Sequence, residues 1–172
     1  MGAWAGPFLV AATLLVVAGA MKAVDPVMTT GALRRLGVPV PSGLVRVGGA
    51  LEVVIGVVAV LTGAVIPVLL VALSYALFTV FVVVALVRHV PIGSCGCFGK
   101  VDTPPSTVHL AVNIGAVVTA VAVALRDGGG IGDVLADQPL LGLPFLALCA
   151  IATYAAFLAM TLVPQLRAME TG

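Results

Sequence analysis

Cys95 and Cys97, one residue apart in Gly93-Ser94-Cys95-Gly96-Cys97-Phe98-Gly99-Lys100, are the residues in this chain best suited to chemistry. Glycines at 93, 96 and 99 each weaken a helix and favour a turn, so the spacing predicts a loop rather than a span. Arg88, His89 and Lys100 flank the pair, and nearby cations favour the thiolate, the form that attacks disulfides or binds soft metals. A disulfide across one intervening residue would close a small strained ring, which makes it oxidising and easily passed on. Two buried thiols serving only as small apolar groups would be the bland alternative, but such cysteines pack in cores and seldom stand among three glycines. The third cysteine, Cys149, stands alone in an apolar run and reads as packing.

Three further polar residues lie inside otherwise apolar stretches. Glu52 shares a helical face with Gly49 and Gly56, three and four residues away, so it points toward a close helix neighbour. A carboxylate at that depth is costly in lipid and marks either a functional group or a packing tie to Lys22 or Arg46. His109 and Asn113, four apart, occupy one face of a later apolar run; His109 is a satisfied structural residue, or a proton carrier or ligand near the thiols.

The elements that must position these groups are membrane helices. Of the 172 residues, 62% are hydrophobic and 9% charged, against roughly 45–50% apolar in soluble domains. The fold expected is all-α and integral to the membrane, with four core transmembrane helices plus a fifth at the C-terminus. It forms one polytopic domain, residues 1–172, with spans at about 4–21, 44–65, 67–87, 106–125 and 140–163 and a cysteine loop at 88–105. Each run approaches the ~20 residues that cross a bilayer. Residues 22–43 read as a loop with a short interfacial helix at 27–36, and residues 126–139 as a glycine-rich loop. The first run lacks the basic residues that precede a signal peptide's apolar core, so it reads as an uncleaved span. A net charge of +1 gives no reason to expect nucleic acid.

Alternating spans put the loops after the first and third helices on one side of the bilayer. Lys22, Asp25, Arg46, Glu52, Arg88, His89, both loop cysteines, Lys100, Asp102, His109 and Asn113 all fall on that side or in the adjacent half of the membrane. The chemistry is one-sided.

Arg88 … Cys95-Gly96-Cys97-Phe98-Gly99 at the end of a third span, after Lys22-Ala23-Val24-Asp25-Pro26 and Glu52, resembles the MauE family of methylamine utilisation proteins, which groups with the DoxX-like redox membrane proteins. The layout is also similar to vitamin K epoxide reductase-type oxidases, with a cysteine pair between the third and fourth helices. The resemblance implies a plasma-membrane thiol–disulfide oxidoreductase that supports disulfide formation in, or maturation of, an exported partner, often beside a thioredoxin-like protein. In it Cys95 and Cys97 cycle between dithiol and disulfide, and Glu52, His109 and Lys22 support them. Cys97, nearer Lys100 and the next helix's positive end, is the favoured nucleophile. Where the family shows Arg-Asn in its fourth helix this chain has Val112-Asn113, with His109 as a stand-in.

A membrane quinone is the natural electron sink, although no quinone motif is readable. Two alternatives remain: an assembly subunit whose glycine-cysteine loop only docks a partner, and a soft-metal carrier using Cys95, Cys97 and His89. Sidedness is contested within the sequence itself. Lys22, Arg34, Arg35, Arg46, Arg88, Lys100 and Arg167 share the thiol side against Arg126 on the other, which by the positive-inside rule turns the thiols to the cytoplasm. The family reading wants them outside, on the argument that Lys22, Arg46 and Arg88 are buried site residues rather than topology signals.

Overall fold

A computed structural model describes residues 3–88, 104–126, 130–137 and 139–170. Among these the chain is all helical, in seven segments: α1 (Ala5–Val24), α2 (Val27–Arg35), α3 (Ser42–Thr62), α4 (Val65–Val87), α5 (Thr107–Ala124), α6 (Ile131–Asp137) and α7 (Pro139–Glu170). Five of them, α1, α3, α4, α5 and the Gly142–Val163 part of α7, are long and apolar enough to cross a membrane. The chain is therefore an all-α, multi-span membrane protein. In lipid every backbone polar group must find its partner within the segment, and helices do this without exposing an edge.

α1 is the axis of the bundle and its most buried span. It packs mainly on α3, and more lightly on α5 and α7, while α4 packs mainly on α5. The central core joins Phe8, Ala12 and Leu15 of α1 to Ala59 of α3, Val68, Val71 and Tyr75 of α4, and Ala116 and Ala120 of α5. Outward-facing valines and leucines such as Leu51, Val54, Leu69 and Val80 are exposed, as lipid-facing residues should be.

Tyr75 ties α4 to α1: its hydroxyl donates to the Ala11 carbonyl at 2.7 Å in the buried interior. Removing that hydroxyl leaves a buried carbonyl with one partner fewer, a loss of about 1 kcal/mol. Tyr75→Phe should accordingly lower the apparent melting temperature in detergent by a few degrees, read by a thermal-shift assay; an unchanged transition would show that the bond adds nothing to the α1–α4 contact.

Three local features differ from the sequence reading. α3 ends at Thr62 because Gly63 takes a left-handed conformation (φ 59°), with its N–H on the Ala59 carbonyl. Part of the 126–139 segment is helical, since α6 packs on α7 and α3. α7 continues through Pro164 to Glu170, beyond the expected end of the fifth span at 163. α5 starts at Thr107, after Pro104 and Pro105, with Ser106 as its N-cap residue, close to the expected start of that span at 106.

Candidate functional site

The site is built on the crossing of α1 and α3. Gly19 and Gly49 meet backbone to backbone: a Cβ on Gly49 would lie 2.6 Å from the Gly19 carbonyl oxygen, and one on Gly19 would lie 2.6 Å from the Gly49 oxygen. Gly56 completes the seam against Ala12 and Val16. Small residues let membrane helices approach this closely, with packing rather than hydrophobic exclusion as the driving force. Each glycine stands three residues before a charged group, Gly19 before Lys22 and Gly49 before Glu52. Residues three apart share a helical face. The seam therefore delivers both charges to the same place, and Lys22 Nζ donates to Glu52 Oε2 at 2.6 Å.

Lys22 is 5% exposed, an unusual state for a lysine and one that requires compensation. Glu52 supplies the opposite charge, and the Phe78 ring of α4 supplies its face, with Nζ 4.1 Å from the ring centroid. Phe78 is held edge-on by Tyr75, centroid to centroid 5.8 Å. Three helices thus converge on one ammonium group. Lys22 is the only hydrogen-bond partner of Glu52 among the described residues. At about 1.5 Å per residue, Glu52 lies about 15 Å along the 21-residue α3, near its middle, while Lys22 stands in the last turn of α1.

A cavity of about 310 Å³ opens beside the pair. α3 supplies Leu44, Gly48 and Gly49, α4 supplies Leu77, Phe78 and Phe81, and α2 closes the outer end with Thr29 and Leu33. α2 is held there by Ala32, which packs with Leu36 on Phe81 and Ala85 of α4. A second cavity of about 540 Å³, almost wholly apolar, lies between α1, α5 and α7.

His109 and Asn113 are both buried on the inner face of α5. The Ser106 hydroxyl meets His109 Nδ1 at 2.9 Å, which fixes the imidazole against its own helix start and takes that hydroxyl away from capping the backbone. Glu52 pairs with Lys22 and not with His109. The Asn113 amide nitrogen is buried with no hydrogen-bond partner among the described residues, an arrangement that costs stability and marks the position as special. Cys149 is half-buried at the opposite end of the bundle, its Sγ 4.0 Å from the Gly6 carbonyl.

A family model described as "Methylamine utilisation protein MauE" matches residues 1–126, nearly three-quarters of the chain. The chain belongs to the MauE family. The match spans α1 to α5, so the MauE part holds four transmembrane helices and the Lys22–Glu52 pair, and α6 and α7 lie beyond it. No curated protein and no solved structure matches the chain. Membership and the five apolar helices together make this a multi-span membrane protein of the methylamine utilisation family.

Cys95, Cys97, His89 and Lys100 lie outside the described residues. The residues bordering them, Arg88 at the end of α4 and Pro104 before α5, are described. Of the three cations expected to be buried at the MauE site, only Lys22 is. Arg46 and Arg88 are exposed, because each lies in the terminal region of its helix where a long side chain reaches the interface. Sequence reasoning passed over Gly19 and Phe78. The signal for Gly19 was present in the paired Gly-x-x-charge spacing on two helices, whereas nothing in an aromatic-bearing span singles out Phe78.

Proposed function

We propose that this MauE-family chain is a thiol–disulfide redox protein of the plasma membrane, in which Cys95 and Cys97 cycle between dithiol and disulfide and oxidise or mature an exported partner. Partners of the expected chemistry are a thioredoxin-like protein or an exported protein that carries disulfides. The observation that supports it is the buried Lys22–Glu52 pair in the half of the bundle where α4 ends and α5 begins, the two helices joined by the cysteine-bearing segment. A membrane-buried ion pair next to an open cavity is expensive to maintain for packing alone. Lys22 holds Glu52 in position, and Glu52 and His109 are suited to move the protons that thiol oxidation releases. Cys97 is the nucleophile in this account and Cys95 resolves it.

The test is complementation of a host lacking its own copy and grown on methylamine. Cys95→Ser and Cys97→Ser should each abolish growth while leaving protein levels unchanged. Normal growth with either variant would reduce the segment to a docking surface.

In this reading the thiols face outward, where disulfides persist. The exposed arginines favour a second reading. Arg34, Arg35, Arg46 and Arg88 are exposed at one end of the bundle and Arg126 at the other, and cytoplasmic loops carry the excess of Lys and Arg. With that end in the cytoplasm the same pair would take electrons from cytosolic thiols and feed them into the membrane. A membrane-impermeant maleimide applied to intact, pre-reduced cells separates the two. Labelling of both cysteines before lysis supports the first reading, and labelling only after lysis supports the second.

A further inference from the structure

We infer that the cavity bounded by α2, α3 and α4 beside Lys22–Glu52 binds the head of a membrane quinone. Its volume, about 310 Å³, is at the low end of the ~300–1,000 Å³ of small-molecule sites, enough for a ring but not for a whole lipid. Its rim opens toward the bilayer: Leu44 and Leu77 line it and are 60% and 61% exposed. An apolar tail can therefore stay in lipid while the head enters sideways between α3 and α4.

The polar end of the cavity selects the head. Lys22 and Glu52 neutralise each other, so a charged phosphate finds no uncompensated cation there. What remains is hydrogen-bonding capacity of both signs. The ammonium has three donors and gives one to Glu52. The carboxylate has acceptor capacity left, and its side chain is 16% exposed. A quinone carbonyl accepts from the ammonium, and after reduction a quinol hydroxyl donates to the carboxylate. Few neutral heads offer both roles in turn. Phe81 gives the ring an apolar wall on the α4 side.

Binding stands without any redox step. The electron source rests on the thiol reading above: two S–H bonds of Cys95 and Cys97 break, one S–S bond forms, and two electrons with two protons convert the quinone's two carbonyls to the two hydroxyls of the quinol.

Gly48 provides the test, because it lines the cavity and a Cβ added there meets nothing within 4 Å. Gly48→Phe should fill the site without disturbing the α1–α3 seam. Gly115→Phe fills the larger apolar groove instead and is the control, since its Cβ is equally unobstructed. The purified full chain in detergent is titrated calorimetrically with decylubiquinone. Saturable binding by the wild type, weakened at least ~10-fold by Gly48→Phe and unchanged by Gly115→Phe, is the expected result. Equal binding by wild type and Gly48→Phe, or no saturable binding by the wild type, overturns the inference. The two proposals fail separately: binding with no loss of two hydrogens from the reduced protein leaves the cavity assignment standing and removes the redox one. Thiol oxidation by a protein oxidant with no quinone bound does the reverse.

Discussion

Glu52→Ala should destabilise the protein by on the order of 3 kcal/mol, because it leaves the Lys22 ammonium buried without its counter-charge. For a chain of this length that corresponds to an apparent melting temperature lower by roughly 6–12 °C. The Phe78 face offsets only part of the loss, since a cation–π contact is worth ~2 kcal/mol even when desolvated. Removing both charges has the opposite sign. Lys22→Met with Glu52→Leu fills similar volume, needs no ion desolvation and should restore stability to the wild-type level or above it. The double variant separates structure from function. If the pair does chemistry, it is stable and fails to support growth on methylamine; if it supports growth, the pair is a packing device and the functional account loses Lys22 and Glu52.

Gly49→Ala is the second large effect. One methyl group would stand 2.6 Å from the Gly19 carbonyl, 2.8 Å from the Ala23 nitrogen and 2.9 Å from Lys22 Cβ. Two of those three atoms are backbone and cannot turn aside, so α1 and α3 must separate. Over-packing of this kind costs ~1–3 kcal/mol where side chains can adjust, and more where only backbone can. Parting the helices also stretches the Lys22–Glu52 contact, so stability and function should fall together. The adjacent residue is the control. Gly48→Ala meets open space and gains the helix propensity that glycine lacks, so it should be neutral or stabilising by up to about 1 kcal/mol. Melting curves of the two variants in the same detergent check this pair of predictions, and similar curves would show that the seam is not tight.

The membrane class and helical architecture were legible because hydropathy over ~20-residue windows depends on composition and not on tertiary contacts. Glu52 was legible as inward-facing because Gly49 and Gly56 share its face. Its partner was not, since Lys22 and Arg46 are both within reach of a sequence-level argument and only the antiparallel crossing of α1 and α3 chooses between them. α3 begins at Ser42, before the first apolar residue, so Glu52 sits near the middle of that helix while its partner Lys22 stands in the last turn of α1. Arg46 and Arg88, read as buried site residues, are exposed. Hydropathy marks them as intrusions in a span, but side chains that long at a helix end extend to water, and burial depends on where the helix stops. α6 was missed because its seven residues are too few to show a period. The cavity under α2 could not be read at all, for it exists only when three helices and an interfacial segment are assembled.

The central claim is that Cys95 and Cys97 form a redox pair, and the mass of the intact purified protein tests it most directly. Isolated with free thiols trapped by acid, the wild type should gain two hydrogens on reduction, and Cys97→Ser should gain none. Identical masses for the wild type before and after reductant, or a metal-sized mass removed by a chelator, would contradict it.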